Sequence, residues 1–285
     1  MKVPTKKLGL FILAINDNGI VNCPSKKSHM SFFKKLRWKL YLMEAFGLSI
    51  FMISACFFSA ILNAKTSCII AIIPNAFIRL LIMGVAMGIT ALIIFYSPCT
   101  SPSGAQINPA VTLSFFRLGT ITKTDAFFYI IFQFIGGTIT VYIMQLLMGG
   151  MLIDPPVNSA VTVPGKGIST AVAGLTEFSI AFCMITMILF TSANNKLKKY
   201  TRLFAGCFVC IYVIIAGPIS GFGMNPARTF ASALPAHIWT AFWLYVIVPI
   251  AGMLLATEFF IYCTNHTMHL AGFTIYKQKD PKKQI

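Results

Sequence analysis

Six stretches of the chain, roughly residues 40–62, 76–97, 125–148, 170–191, 203–218 and 238–262, are almost wholly apolar and are separated by short polar or glycine-rich joints. Crossing the hydrocarbon core of a bilayer takes about 20 mostly apolar residues per helix, and each stretch is of that order. Composition agrees: 57% hydrophobic residues, 11% charged residues and a mean hydropathy of +0.79 lie outside the usual range of soluble domains. The chain is expected to be an all-α membrane protein. Its fifth stretch is short, and Gly217-Pro218 predicts an early end there.

The net charge of +16 raises the question of nucleic acid, but the charges sit elsewhere. With six crossings and the amino terminus inside, nineteen Lys and Arg residues fall on inner segments and only Lys65, Arg79 and Lys166 on outer ones. That bias predicts both termini in the cytoplasm and a multi-pass protein of the cell (inner) membrane. A nucleic-acid partner explains none of the apolar stretches. Residues 1–37 read as a basic cytoplasmic tail: Lys6-Lys7 and "LGLFILAI" imitate a signal peptide, yet no small-x-small cleavage site follows. The apolar run is expected to lie on the membrane surface, drawn by its lysines to anionic lipid. Residues 38–263 form the membrane domain, and 264–285 a second cytoplasmic tail.

Eight cysteines invite a metal or disulfide reading. Cys207 and Cys210 lie one turn apart in an apolar helix, where cysteine behaves as a small hydrophobe. Cys263, His266 and His269 have ligand-like spacing but no fourth partner nearby. No metal site, cofactor, catalytic serine or cysteine arrangement, or phosphate-binding glycine loop is expected, and the chain does not read as an enzyme.

"SGAQINPAVTLSF" (103–115) and "SGFGMNPARTF" (220–230) share a Ser-Gly-x-x-x-Asn-Pro-Ala core and follow the second and fifth apolar stretches, which places them on opposite faces. Each precedes a run too short to cross and too apolar to be a solvated loop. Asparagine is a favoured helix cap, and proline suits the first helical position, where its missing N–H costs nothing. Asn108-Pro109-Ala110 and Asn225-Pro226-Ala227 therefore each start a half-helix that dips into the membrane. Irregular backbone at that depth survives only where protein buries it or where it lines a watery cavity. Two such half-helices would point their positive ends at the midplane and offer the amides of Asn108 and Asn225 to whatever passes.

The paired motifs, six crossings and inverted repeat resemble the aquaporin and glycerol-facilitator (major intrinsic protein) family over roughly residues 38–263. The resemblance implies six transmembrane helices plus two re-entrant half-helices, one pore per chain, no cofactor, and a homotetramer in the lipid bilayer. It further implies that Glu44 in "YLMEAFGLSIF" and Glu177 in "AGLTEFSIAF" hold the re-entrant loops by hydrogen bonds. Its outer constriction maps onto Val213, Phe222 and Arg228. The fourth position is less direct, because "ALIIFYSPCTSPSGAQ" runs about seven residues longer than in the family. A fixed offset from Asn108 gives Gly88, whereas the landmark "MGVAMG" (83–88) gives Leu81. At 1.5 Å per residue from a start near 76, Leu81 lies about 8 Å down and Gly88 about 18 Å, so Leu81 suits a constriction outside the midplane.

Arg228 is expected to line water, where it binds oxygen and repels cations; pairing with a buried carboxylate is the alternative. Val213 stands where strict water channels carry histidine, and Phe222 resembles the aromatic of glycerol facilitators. The expected function is a passive channel for water and small uncharged solutes such as glycerol, excluding protons and ions. An ion-coupled transporter of a small polar solute and a membrane metal or redox protein are the alternatives. Gly47, Gly84, Gly88, Gly136, Gly137, Gly174, Gly206 and Gly252 would allow close helix approach. Single cysteines placed in the 149–168 loop should react with an impermeant reagent added outside, while those in 194–202 should not; the reverse pattern overturns this orientation.

Overall fold

A computed structural model describes residues 36–270, and within 265–270 only the backbone. The described residues form six long helices, α1 (Trp38–Asn63), α2 (Ala76–Tyr96), α4 (Lys123–Met148), α5 (Thr170–Ala193), α6 (Thr201–Ser220) and α8 (Phe242–Leu270). Two half-helices, α3 (Pro109–Arg117) and α7 (Pro226–Ala236), complete the bundle, with single helical turns in the connections. All six long helices carry stretches long and apolar enough to cross a membrane. The basic tail before Leu36, the end after Leu270 and the side chains of His266 and His269 lie outside the described residues.

Two boundaries differ from expectation. Helix α6 runs past Gly217-Pro218 to Ser220. A proline removes one donor but does not stop a helix that ends within a turn, and the stop is set by Gly221 in the left-handed region at φ 80°. Helix α8 starts at Phe242 and continues to Leu270, beyond the expected edge of the tail at 264, while His237 and Ala241 adopt positive φ in the turn before it.

Helix α1 packs along α4, and α5 along α8; α2 against α6 joins the two halves. The half-helices fill the space between: α3 lies against α4 and α8, and α7 against the same pair. Glycine lets these helices touch. A Cβ on Gly136 would sit 2.5 Å from the Ala45 carbonyl oxygen, and one on Gly252 2.8 Å from that of Phe178, matching places in the two repeats. Gly88 and Gly206 face each other's backbone across α2 and α6. Gly174 differs from its expected role, since a Cβ there would meet only Leu244, at an ordinary 3.5 Å.

On the face where the described residues begin and end, Asp125 ties α4 to α1. It accepts from Arg37, from Tyr41 at 2.8 Å and from Thr122 at 2.5 Å. Trp38, Tyr41, Phe128 and Phe132 pack around this cluster. Gly136→Ala should cost about 1–3 kcal/mol through overpacking, whereas Gly174→Ala should be neutral or gain about 0.5–1 kcal/mol; thermal unfolding of the two variants in detergent distinguishes them.

Candidate functional site

The site is built around two buried carboxylates. Glu44, on α1, accepts from Ser103 Oγ at 2.6 Å, the backbone N–H groups of Gln106 at 3.0 Å and Ile107 at 2.6 Å, and Gln133 Nε2 at 2.8 Å. Glu177, on α5, accepts from Ser220 Oγ at 2.6 Å and from the N–H groups of Gly223 at 2.8 Å and Met224 at 2.5 Å. Both glutamates are 0% exposed. Ser103 and Ser220 are held in turn through their carbonyls by the hydroxyls of Tyr129 and Tyr245, at 3.0 and 2.6 Å. The repeat thus reproduces a hydrogen-bond circuit as well as a motif.

Each carboxylate holds a loop in an uncommon conformation. Ala105 and Ile107 in the first loop, and Phe222 and Met224 in the second, have φ between 43° and 51° without being glycine. The loops end at Asn108 and Asn225, whose side-chain oxygens cap α3 at Ala110 N and α7 at Ala227 N and Arg228 N. Their amide nitrogens cross to the opposite loop: Asn108 Nδ2 donates to Met224 O at 3.0 Å, and Asn225 Nδ2 to Ile107 O at 2.7 Å. Each amide has two hydrogens, so one holds the half-helices end to end and the second remains for another acceptor. Pro109 and Pro226 occupy the first helical position of α3 and α7, followed by Ala110 and Ala227.

Two cavities meet in the interior. A narrow one of about 70 Å³ is lined by residues 105–108 and 222–225, Asn108 and Asn225 among them, and reaches Phe95 and Ala205 near the face where the described residues begin and end. A wide one of about 370 Å³ reaches Asn63 near the opposite face. Phe51, Phe222 and Arg228 line both, which places the junction at these three side chains. Val213 lines the wide cavity. Leu81 does not, and Gly88 packs on Cys210 of α6. The wall from α2 is made by Leu80, Met83 and Met87. These are spaced i, i+3 and i+7 on one helical stripe, and a position one residue off is turned by about 100°. Leu81, the residue chosen by depth, lies next to Leu80 in sequence but off the stripe of α2 that faces the wide cavity.

Phe51 was not legible from the motifs. Its signal is its place seven residues after Glu44, two turns along the same face of α1; Met184, seven after Glu177, likewise lines the narrow cavity. The long connection before α5 supplies a second unforeseen part. Pro156, Val157 and Val161 wall the wide cavity, and Thr162 accepts from Arg228 Nη1 at 2.7 Å while donating to Thr229 Oγ1 at 3.0 Å. Arg228 is 9% exposed and pairs with no carboxylate among the described residues, whose ion pairs are Arg37–Asp125 and Arg117–Glu258. The segment 97–103 lines neither cavity and packs beside α1 through buried Thr100. No group of three metal-ligating side chains occurs among the described residues.

The pattern of the family described as "Major intrinsic protein" matches residues 30–262. The chain belongs to this family. It is 31% identical over 175 residues to Aquaporin NIP1-2 of Arabidopsis thaliana, covering 60% of this chain and 58% of that protein. Aquaporin TIP4-2 of Zea mays is 32% identical over 154 residues, 54% of this chain and 58% of its own length. The match therefore spans a little under three fifths of these relatives. The X-ray structure of the aquaglyceroporin from Plasmodium falciparum superposes with a TM-score of 0.67 over 82% of this chain and 99% of that one, at 17% identity, which establishes the shared fold.

Within this major intrinsic protein, Glu44 has four donors and Glu177 three. A glutamine in either place would turn an amide donor toward backbone N–H groups. Glu44→Gln and Glu177→Gln should each destabilise the protein, on the order of 3 kcal/mol, with the larger loss at Glu44. Unfolding midpoints in detergent rank them.

Proposed function

We propose that the chain is a passive transmembrane channel for water and small uncharged solutes, with the path running through the two cavities. The observation that carries this reading is the meeting of two half-helix amino termini on a narrow cavity lined by Asn108 and Asn225. Helix dipoles of roughly half a charge each then favour acceptor oxygens and oppose cations and protons. A coupled transporter would need an ionisable group free to exchange its partners. Glu44 and Glu177 are instead committed to backbone and side-chain donors on the loops they hold.

At the junction the proposed filter is Phe51, Phe222 and Arg228, with Val213 and the Leu80–Met83 stripe in its approach. Aromatic and aliphatic surface accepts the carbon chain of a solute, while Arg228 supplies donors for hydroxyl oxygen. Thr162 accepts one of those donors without cancelling the positive charge, so the site keeps its repulsion of cations. Asn108, Pro109, Ala110, Asn225, Pro226 and Ala227 make the midplane. Water and small neutral solutes are the proposed permeants, the bilayer is the surroundings, and a homotetramer is the proposed assembly.

Stopped-flow shrinkage of proteoliposomes, with and without an ion gradient, tests the reading directly: water flux should exceed that of empty vesicles and be indifferent to the gradient. Val213→His should reduce glycerol flux more than water flux, by narrowing the approach. Phe51→Ala should raise solute flux relative to water by several-fold, and Arg228→Val should widen the pore and admit cations. Wild-type vesicles no more permeable than lipid alone would refute the channel, and an unaltered solute-to-water ratio in Phe51→Ala would remove Phe51 from the filter.

A further inference from the structure

The turn between α5 and α6 concentrates charge that the pore does not use. Four cations, Lys196, Lys198, Lys199 and Arg202, occupy seven consecutive positions. The turn is a defined structure. Asn194 Oδ1 accepts from Lys196 N at 2.9 Å, Lys198 N bonds Asn194 O at 2.9 Å, and buried Thr201 joins Thr191 across its base at 3.0 Å. Aromatic rings hold two of the cations in place: Lys199 Nζ lies 4.7 Å from the centre of Tyr200, and the Arg202 guanidinium 5.5 Å from that of Tyr96.

Among the described residues, the carboxylates on this face are committed, Asp125 to Arg37 and Glu258 to Arg117, and none pairs with the three lysines. Apolar surface accompanies the charge. Leu197, Tyr200 and Leu203 are each about two-fifths exposed at 39%, 41% and 40%. A turn that only faced water would have no use for these three. Lysines beside exposed leucine and tyrosine, at the ends of two membrane-crossing helices, match the boundary between headgroup and acyl chain.

We propose that this turn binds the phosphate-bearing headgroup of an anionic phospholipid, with Lys196, Lys198 and Lys199 on the phosphate and Leu197, Tyr200 and Leu203 against the upper acyl chains. Among the other described cations of this face, Arg37 and Arg117 are ion-paired, and Lys39 and Lys123 lie at the amino-terminal ends of α1 and α4. The inference concerns residues that line neither cavity and does not depend on what passes through them.

Native mass spectrometry of the full-length protein in detergent, titrated with phosphatidic acid or with phosphatidylcholine of the same acyl chains, tests it. Wild type should retain phosphatidic acid at least tenfold more strongly. Retention should fall roughly fivefold for each lysine changed to glutamine, and survive Lys196→Arg/Lys198→Arg/Lys199→Arg. Lys39→Gln/Lys123→Gln should leave it within twofold, and millimolar inorganic phosphate should not displace the lipid. Equal retention of the two lipids, equal retention by the triple glutamine variant, or displacement by inorganic phosphate as effective as by phosphatidic acid would each overturn the proposal. The last would mark a site for free phosphate. Because the wild-type comparison also predicts weaker retention as salt is raised, salt-insensitive binding counts against it even if a variant fails to fold.

Discussion

Two fully buried carboxylates hold the structure together where a helical membrane protein is weakest, at backbone that is neither helix nor strand. In lipid an unpaired N–H costs several kcal/mol, and a loop reaching the midplane presents several. Glu44 and Glu177 answer this by accepting from consecutive backbone N–H groups, Gln106 and Ile107 in one loop, Gly223 and Met224 in the other. The same bonds hold alternate residues in the left-handed region, at a cost of order 1–3 kcal/mol each for residues other than glycine. Without the carboxylates nothing would compel that conformation, and the half-helices would have no fixed starting point. The asparagine clasp across the centre comes after this, because its acceptors, Ile107 O and Met224 O, belong to the residues the glutamates hold.

The two repeats share this frame and differ in what they place on it. Gln133 adds a fourth donor to Glu44, while the position 116 residues on, aligned by Tyr129 and Tyr245, is Pro249 and adds none. A larger difference lies just past the motifs. Val111 and Arg228 occupy equivalent places three residues after Asn108 and Asn225, and both line a cavity. One half therefore contributes apolar surface and the other a guanidinium. Symmetry supplies a cavity with like helix ends at its centre, and this departure from symmetry gives it a charged side, to which the connection before α5 contributes Thr162.

The surroundings of Arg228 show how a charge is kept at low exposure. A carboxylate partner would have neutralised it, while no partner would have left a guanidinium N–H unmet. The Thr162 hydroxyl meets one N–H and passes its own hydrogen to Thr229, so geometry is held while the net charge remains. The acceptor arrives from a loop more than sixty residues distant in sequence, a feature of the site that no local motif contains.

Much of this molecule could be read before folding, for a physical reason. Lipid as solvent leaves the backbone few choices, so apolar stretches of about 20 residues declare helices. A cap followed by proline declares a helix start, and its repetition on opposite faces declares a meeting of half-helices. Asn108 and Asn225 could be read as helix caps and Arg228 as a charge in an apolar setting, whereas the part of Glu44 and Glu177 came from the family resemblance of the segments around them. Side chains whose importance comes only from facing were not legible. Phe51 is one phenylalanine among 26, and Leu80 differs from Leu81 only by the rotation of α2. That rotation is decided by Gly84 and Gly88 meeting α6. Thr162 acquires its role only when the connection folds over α7. Sequence alone determined where the backbone must be helical and which polar groups must be satisfied, since those demands are local to each segment in lipid. Which apolar residues wall the two cavities was settled by packing between helices distant in sequence, and only the tertiary structure could decide it.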